Sequence, residues 1–144
     1  MHLLQIRTLV VDDFASFRRR VCWMLEENPE VRVIGEAVDG VEAVQKAVEF
    51  QPDLILLDSD LPKLSGIEAA RQIRKIAPKS KILFLSQDSN PEVVQDAFGL
   101  GARGYVTKSD AARELLTAVK AVGLGKQYVS RALAGFDLTD TADE

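Results

Sequence analysis

Short apolar runs alternate with amphipathic stretches along most of this chain, and this alternation limits the folds that the chain can adopt. The apolar runs are Ile6–Val11, Val31–Ala37, Leu54–Leu57, Ile82–Leu85 and Gly104–Val106. The inner runs are continuously apolar, which is typical of strands that are covered on both faces. A helical pattern follows each run, and right-handed crossovers join such units into one sheet. The sequence therefore predicts an α/β fold, a doubly wound five-stranded parallel sheet with helices on both faces.

The predicted helices begin at recognisable capping signals. Asp39 and Ser65 each stand three residues before a glutamate, which is the capping-box pattern. Asn90 precedes a proline at the first helical position. Ser109 or Asp110 can cap the last helix. With the five apolar runs, these helices make five βα units.

The end of the fifth helical pattern divides the chain of 144 residues into two parts. Residues 1–125 form the predicted domain, and residues 126–144, which are mixed and then acidic, are predicted to be a linker or tail. Four acids and no base lie between Asp137 and Glu144. The rest of the chain has 18 basic and 18 acidic residues, so we expect no direct binding to nucleic acid.

Several classes of function are not expected from this composition. No apolar run is long enough to cross a membrane. Cys22 is the only cysteine and His2 the only histidine, which argues against a disulfide framework, a thiolate metal site and histidine-based catalysis. No secretory signal is visible at the start. We expect a cytoplasmic protein.

Side chains with useful chemistry follow the ends of four predicted strands. They are Asp12 and Asp13 after the first, Asp58 and Asp60 after the third, Ser86 after the fourth and Lys108 after the fifth. In open parallel α/β sheets, ligands bind outside the carboxyl ends of the strands. We therefore expect these residues to converge at one edge of the sheet.

The acidic residues of this group predict a magnesium site. Mg²⁺ prefers six oxygen ligands and usually takes one or two carboxylates together with waters and phosphate oxygens. Asp13 and Asp58 are candidates for direct carboxylate contacts, and Asp12 for a direct or water-mediated contact. The backbone carbonyl of Asp60 is a candidate third protein ligand.

The same group predicts phosphoryl chemistry. A carboxylate can attack phosphorus and form an aspartyl-phosphate, and such a transfer needs charge neutralisation and in-line positioning more than acid–base groups. Lys108 could pair with one phosphoryl oxygen, and Ser86 could donate a hydrogen bond to another. Each residue alone is also typical of a polar turn, a cap or a solvated lysine. Their joint placement at four strand ends favours the phosphoryl site.

A glycine motif later in the chain matches a dinucleotide-binding pattern in its spacing but not in its structural context. Gly99, Gly101 and Gly104 match the spacing G-x-G-x-x-G. The dinucleotide-binding motif of that spacing must follow a strand and open a helix, whereas this one follows a predicted helix and precedes a predicted strand. We interpret it as the end of a helix and a tight turn.

The combined motifs resemble a response-regulator receiver domain. The similar segments are LVVDDF, LILLDSDLP, FLS and GARGYVTKSDA, and the resemblance covers about Ile6 to Leu124. It implies a flavodoxin-like, CheY-like fold with strand order 2-1-3-4-5. The resemblance further implies these roles: Asp58 as phosphoacceptor, Asp12 and Asp13 as metal acids, Ser86 as switch hydroxyl, Lys108 as phosphate-binding lysine and Tyr105 as switch aromatic.

Within that family, the segments VIGEAVDGVEAV and GYVTKSDAARELLTAV are most similar to the NarL type. The resemblance implies Mg²⁺-dependent phosphorylation by a sensor histidine kinase, and it is compatible with a homodimer. It also implies a helix-turn-helix output domain beyond residue 144, unless the chain is a natural single-domain receiver. Gln87, Asp60 and Asp88 depart from the family pattern and could narrow access to the site or repel anionic phosphodonors.

Two other functions are compatible with the same residues. Asp58 and Asp60 have the D-x-D spacing of a phosphohydrolase with an aspartate nucleophile, but the chain has no spare segment to form a substrate pocket. A pseudo-receiver would act only through protein contacts. The resemblance favours a switch that is no enzyme beyond self-phosphorylation and autodephosphorylation. In that switch Ser86 moves toward the phosphoryl group and Tyr105 turns inward, so we expect Tyr105 to point outward, or to be mixed, when no phosphoryl group is bound.

Overall fold

The computed structural model describes residues 5–133, which form a six-stranded sheet flanked by five α-helices. The strands are β1 (Ile6–Val11), β2 (Val31–Ala37), β3 (Leu54–Leu57), β4 (Lys81–Ser86), β5 (Gly104–Thr107) and β6 (Tyr128–Val129). The helices are α1 (Ala15–Glu26), α2 (Gly40–Phe50), α3 (Gly66–Ile76), α4 (Pro91–Gly99) and α5 (Ala111–Gly123). Short 3₁₀ turns cover Lys108–Asp110 and Arg131–Leu133. His2 and the acidic segment from Asp137 to Glu144 lie outside the described residues.

All neighbouring strands are parallel, in the order β2-β1-β3-β4-β5-β6. The order of the first five strands confirms the predicted flavodoxin-like sheet. The sixth strand was not predicted. It pairs with β5 and lies within residues 126–144, the part of the chain that the sequence assigns to a linker or tail. Two residues are too few to produce a strand pattern of their own.

Alternate residues of the strands point into two separate cores, one on each face of the sheet. On one face, Val10, Leu56 and Val106 pack with α1 and α5. On the other face, residues such as Ile55 and Phe84 pack with α2, α3 and α4. Because both faces are covered, β3 is apolar throughout, and β1 and β4 are apolar over most of their length. Polar side chains instead lie at the edge of the sheet where the strands end.

Three of the predicted helix caps are present. The side chains of Asp39 and Ser65 accept hydrogen bonds from the backbone N–H groups of Glu42 and Glu68. Asn90 caps α4, with a proline at the first helical position. Asp110 precedes α5, but its side chain makes no capping bond. That expectation was wrong because the Asp110 carboxylate is used by other partners, which are described below.

The G-x-G-x-x-G segment forms the turn between α4 and β5, as predicted. Gly101 has a φ of 99°, a conformation that favours glycine because it has no Cβ. Among residues 5–133, no helix is both long and apolar enough to span a bilayer.

Candidate functional site

The predicted residues converge at the carboxyl edge of the sheet. Asp12 follows β1 and Asp58 follows β3, and these strands pair so that Val11 lies beside Leu57. Ser86 is the last residue of β4, and Lys108 follows β5 directly. The carboxyl ends of parallel strands lie at the same edge of the sheet, and this topology brings together residues that lie far apart in sequence.

Three carboxylates form a group that fits a divalent cation. Asp12, Asp13 and Asp58 each offer a carboxylate oxygen, and these atoms all lie within 4.8 Å of one another. Asp12 and Asp58 are buried, whereas Asp13 is exposed. A hard cation such as Mg²⁺ prefers oxygen ligands of this kind. The donor set therefore fits Mg²⁺, which when bound would neutralise the repulsion among these acids.

Lys108 joins two of these acids. Its Nζ lies 2.7 Å from Asp12 Oδ2 and 3.1 Å from Asp58 Oδ2. The same Nζ lies 4.7 Å from the centroid of the Phe17 ring, within range of a cation–π contact. Burial opposes the charge of Lys108, but its hydrogen bond to Asp12 and the charge of Asp58 outweigh burial and raise its pKa. Lys108 therefore stays positively charged at the centre of the acidic group.

Both carboxylate oxygens of Asp58 accept hydrogen bonds. Its Oδ2 accepts from Lys108, and its Oδ1 accepts from the backbone N–H of Asp60 at 3.0 Å. Burial raises the pKa of Asp58, although both hydrogen bonds act in the opposite direction. The side chain of Asp60 is exposed. Asp58 is thus a positioned carboxylate whose negative charge is only partly compensated by the protein.

Gly66, at the start of α3, sets the position of the loop that follows Asp58. A Cβ atom at this position would collide with the carbonyl oxygen of Asp58 and with Ser59. The Gly66 N–H donates to the Ser59 carbonyl at 2.9 Å. This role could not be predicted from the sequence, because a glycine after a capping serine does not show which other part of the backbone lies against it.

Ser86 is buried at the end of β4 and contacts the same loop. Its hydroxyl oxygen lies 2.6 Å from that of Ser59, and it accepts a hydrogen bond from the Asp88 N–H at 3.0 Å. Ser59 was not among the predicted site residues, although it directly follows Asp58. The pair links the loops after β3 and β4, so a movement of Ser86 would change the Asp58 loop.

Tyr105 is fully buried, and our expectation of an outward or mixed ring without a phosphoryl group was wrong for this structure. Its hydroxyl donates to the Asp88 carbonyl at 2.7 Å, and its ring centroid lies 6.1 Å from that of Phe84. Burial raises the pKa of Tyr105. The expectation assumed that the ring turns inward only when Ser86 moves away and leaves space for it. The loop after β4 supplies a backbone acceptor without any such movement.

Gln87 lies at the exposed side of the site, near Lys108. It is exposed and lines a cavity of about 330 Å³ together with Phe14, Phe17 and Lys108. A polar side chain at this position can contact what approaches the ammonium group. The effect of Gln87 on access to the phosphoryl group stays a prediction.

The family model for the response regulator receiver domain matches residues 8–120 of this chain. The chain therefore belongs to the response regulator receiver domain family, and the resemblance drawn from the sequence is confirmed. It is a receiver domain of the two-component response regulators. The family match does not favour the phosphohydrolase or the pseudo-receiver.

The relatives place the chain among regulators of the predicted type. It is 36% identical over 130 residues to the transcriptional regulatory protein LiaR of Bacillus subtilis, covering 90% of this chain and 62% of LiaR. The chain thus spans less than two thirds of that relative. Other relatives are named as protein-glutamate methylesterases, so proteins that share this region include enzymes.

Solved structures support the same assignment. The crystal structure of a two-component response regulator of the LuxR family from Aurantimonas sp. SI85-9A1 has a TM-score of 0.88 and 33% identity, covering 97% of this chain and 99% of that one. The signal receiver domain of the putative response regulator NarL from Mycobacterium tuberculosis has a TM-score of 0.81 and 31% identity, covering 85% and 99%. The likeness to NarL-type receivers is confirmed.

Proposed function

We propose that this receiver is a Mg²⁺-dependent phosphoacceptor in which Asp58 takes the phosphoryl group. The observation that carries the proposal is the placement of the Asp58 carboxylate, which contacts Lys108 and lies in one group with the carboxylates of Asp12 and Asp13. Asp58 is held by two hydrogen bonds, and its charge is only partly compensated. It is therefore a defined nucleophile beside a cation-binding group.

The transfer is a single displacement at phosphorus. A carboxylate oxygen of Asp58 forms the new P–O bond, the bond from phosphorus to the donor breaks, and the donor leaves with the electron pair of that bond. Lys108 pairs with a phosphoryl oxygen, and Ser86 donates to another. Asp12, Asp13, Asp58 and the backbone carbonyl of Asp60 would hold Mg²⁺, which supplies charge neutralisation. The chain catalyses nothing beyond its own phosphorylation and dephosphorylation.

The intact mass of the chain tests this assignment. Incubation with acetyl phosphate and Mg²⁺ should add one phosphoryl group to the wild type and none to Asp58→Asn. Asp60→Asn is the matched control, because it removes an exposed carboxylate two residues away and leaves the Asp58 carboxylate intact. Equal labelling of Asp58→Asn and the wild type would refute the assignment.

Phosphorylation would act as a switch through β4 and β5. The new group adds roughly −1.5 to −2 charge and three acceptor oxygens. Ser86, now paired with Ser59, would turn toward those oxygens, and Tyr105 would repack on the neighbouring strand. The surface of α4, β5 and α5 would then change, as a shift between two packings that bind phosphate unequally.

The partners follow from the family and from the relatives. A sensor histidine kinase in the cytoplasm would supply the phosphoryl group. The likeness to the NarL type supports a helix-turn-helix output domain as the partner of this receiver, and the relative LiaR, of which the chain spans 62%, is named as a transcriptional regulatory protein. This segment itself would not bind nucleic acid, since its charge outside the acidic tail is balanced. A homodimer would form through the receiver. Sedimentation with and without beryllofluoride tests that dimer, and a monomer in both conditions would refute it.

A further inference from the structure

Two acids at the start of α5 hold the last part of the described chain. Asp110 Oδ2 accepts hydrogen bonds from the Ser130 hydroxyl at 2.6 Å, the Thr107 hydroxyl at 3.0 Å and the Ala132 N–H at 3.0 Å. Asp110 has 9% of its surface exposed. A carboxylate at this position would ordinarily cap the helix, but here it serves a segment twenty residues further along the chain.

Glu114, one turn further along α5, holds the same segment. Its Oε1 accepts from the Tyr128 hydroxyl at 2.6 Å, and its carboxylate accepts from the Arg131 N–H. Glu114 has only 5% of its surface exposed, which is unusual for a helical glutamate. We call Asp110, Glu114 and the segment 128–133 the carboxylate clamp.

The clamp is built against β5 as well as against α5. Ser130 donates its N–H to the Tyr105 carbonyl at 2.9 Å, and Leu133 is buried in the core that includes α2, α3 and α4. The Ser130 hydroxyl is the first cause of the lowered pKa of Asp110. Asp110 is thus ionised in the closed clamp, and its hydrogen bonds are charge-assisted.

Asp110 of the clamp lies two positions after Lys108 of the phosphoryl site. Thr107, which donates to Asp110, directly precedes Lys108 and lies beside Ser86 in the ladder of β4 and β5. The 3₁₀ turn that begins at Lys108 ends at Asp110. A displacement of Lys108 would therefore change both its own hydrogen bond to Asp58 and the hydrogen bonds that Asp110 accepts nearby.

We propose that Asp110 is a positioning residue, which holds Lys108 for the phosphoryl group and couples phosphorylation of Asp58 to closure of the clamp on residues 128–133. This inference rests on the proposed function, because Asp58 must be the phosphoacceptor. The coupling is reciprocal by thermodynamic linkage. If the closed clamp favours the phosphoryl-binding position of Lys108, an occupied Asp58 must favour the closed clamp. The state of the site would then reach the end of the described chain, from which any output domain would continue.

Hydrogen exchange of the full chain tests the coupling. The reporters are the N–H groups of Ser130, Arg131 and Ala132, which donate to Tyr105, Glu114 and Asp110. Beryllofluoride with Mg²⁺ should slow their exchange in the wild type by about fivefold, at the lower end of usual coupling. In Asp110→Asn the same amides should exchange faster, and the slowing should be lost.

The labelling rate separates positioning from general damage. Asp110→Asn should be labelled by saturating acetyl phosphate about fivefold more slowly, whereas its Mg²⁺ affinity should stay that of the wild type because Asp12, Asp13 and Asp58 are untouched. Ser130→Ala, which leaves the acid in place, should show the same change to a smaller extent. Asp96→Asn, an exposed acid on α4, is the control and should behave as the wild type.

The outcomes are distinguishable. A wild type that is not labelled at Asp58 would refute the proposed function and this inference with it. If Asp58 is labelled but the three amides exchange equally with and without beryllofluoride, the coupling is refuted while the phosphoacceptor remains. The exchange of these amides is measured on the wild type alone, so it tests the coupling even if Asp110→Asn does not fold.

Discussion

The ammonium group of Lys108 lies 3.1 Å from a carboxylate oxygen of Asp58, although the two residues are 50 positions apart in the chain. The contact exists because β3 and β5 flank β4 in the sheet and end at the same edge. Lys108 also lies 2.7 Å from Asp12. A single lysine therefore balances two buried acids where a cation would bind.

Replacing this lysine should strengthen metal binding while weakening phosphorylation. Lys108→Met leaves Asp12 and Asp58 without their positive partner, so Mg²⁺ affinity should rise about tenfold, or about 1.4 kcal/mol. Labelling by acetyl phosphate should become slower, since a phosphoryl oxygen loses its partner. NMR titration with Mg²⁺ measures the affinity, with the exposed Lys79→Met as control. Weaker Mg²⁺ binding in Lys108→Met would show that the lysine does not compete with the metal.

Removing one acid should have the opposite effect on the metal. Asp13→Ala takes away an exposed carboxylate of the three-acid group, so Mg²⁺ affinity should fall at least about tenfold and labelling should nearly cease. Asp60→Ala is the control, because it removes a side chain and keeps the backbone carbonyl that we propose as a ligand. Mg²⁺ should raise the thermal midpoint of the wild type and of Asp60→Ala, since it binds the folded state. An unchanged Mg²⁺ affinity in Asp13→Ala would show that this acid is no ligand.

The hydroxyl of Ser86 should matter for the response more than for the chemistry. Ser86→Ala keeps Asp58 and Lys108, so labelling should persist. The spectral change that beryllofluoride causes from α4 to α5 should shrink, because a hydrogen bond that favours the active packing is lost. A coupling of about 1–3 kcal/mol is enough to produce such a change. The exposed Ser89→Ala is the control, and a full response in Ser86→Ala would argue against the switch hydroxyl.

The cap of α2 should give a pH-dependent contribution to stability. The Glu42 N–H, helped by Lys63, holds the pKa of Asp39 below its ordinary value of 3.8. The contribution is therefore present above pH 3.8 and declines as the pH falls through the lower pKa of the folded state. Asp39→Ala should cost about 1 kcal/mol at pH 7 and less near pH 2. Ser65→Ala, which removes an uncharged cap, should cost the same at both pH values. Urea unfolding measures both, and a pH-independent cost for Asp39→Ala would contradict the assignment.

The sheet and the convergence of the site could be predicted because both follow from local patterns and topology. Continuous apolar runs identify buried strands, and parallel strands bring Asp12, Asp58 and Lys108 to one edge without knowledge of any side-chain contact. The caps at Asp39 and Ser65 depend only on residues three positions apart. Such features need no information about distant partners.

Features that depend on distant partners were missed. The strand Tyr128–Val129 pairs with β5, and the acids of α5 bind Tyr128 and the residues that follow the strand. A strand of two residues has no sequence pattern from which this pairing could be predicted. Val41, Val44 and Val48 recur at helical spacing, but only Val44 packs against the core, and α2 instead buries Ala43 and Ala47. Small residues face the core there, since Gly40 lies so close to the backbone of Leu64 that a Cβ atom would collide.

The position of the phosphoryl group tests the central claim most directly. An acyl phosphate is reduced by borohydride to an alcohol, so a phosphorylated aspartate becomes homoserine and can be located by peptide mass spectrometry. After treatment with acetyl phosphate and Mg²⁺, wild-type chain should yield homoserine at position 58 alone. Homoserine at position 12, 13 or 60, with unmodified Asp58, would contradict the account.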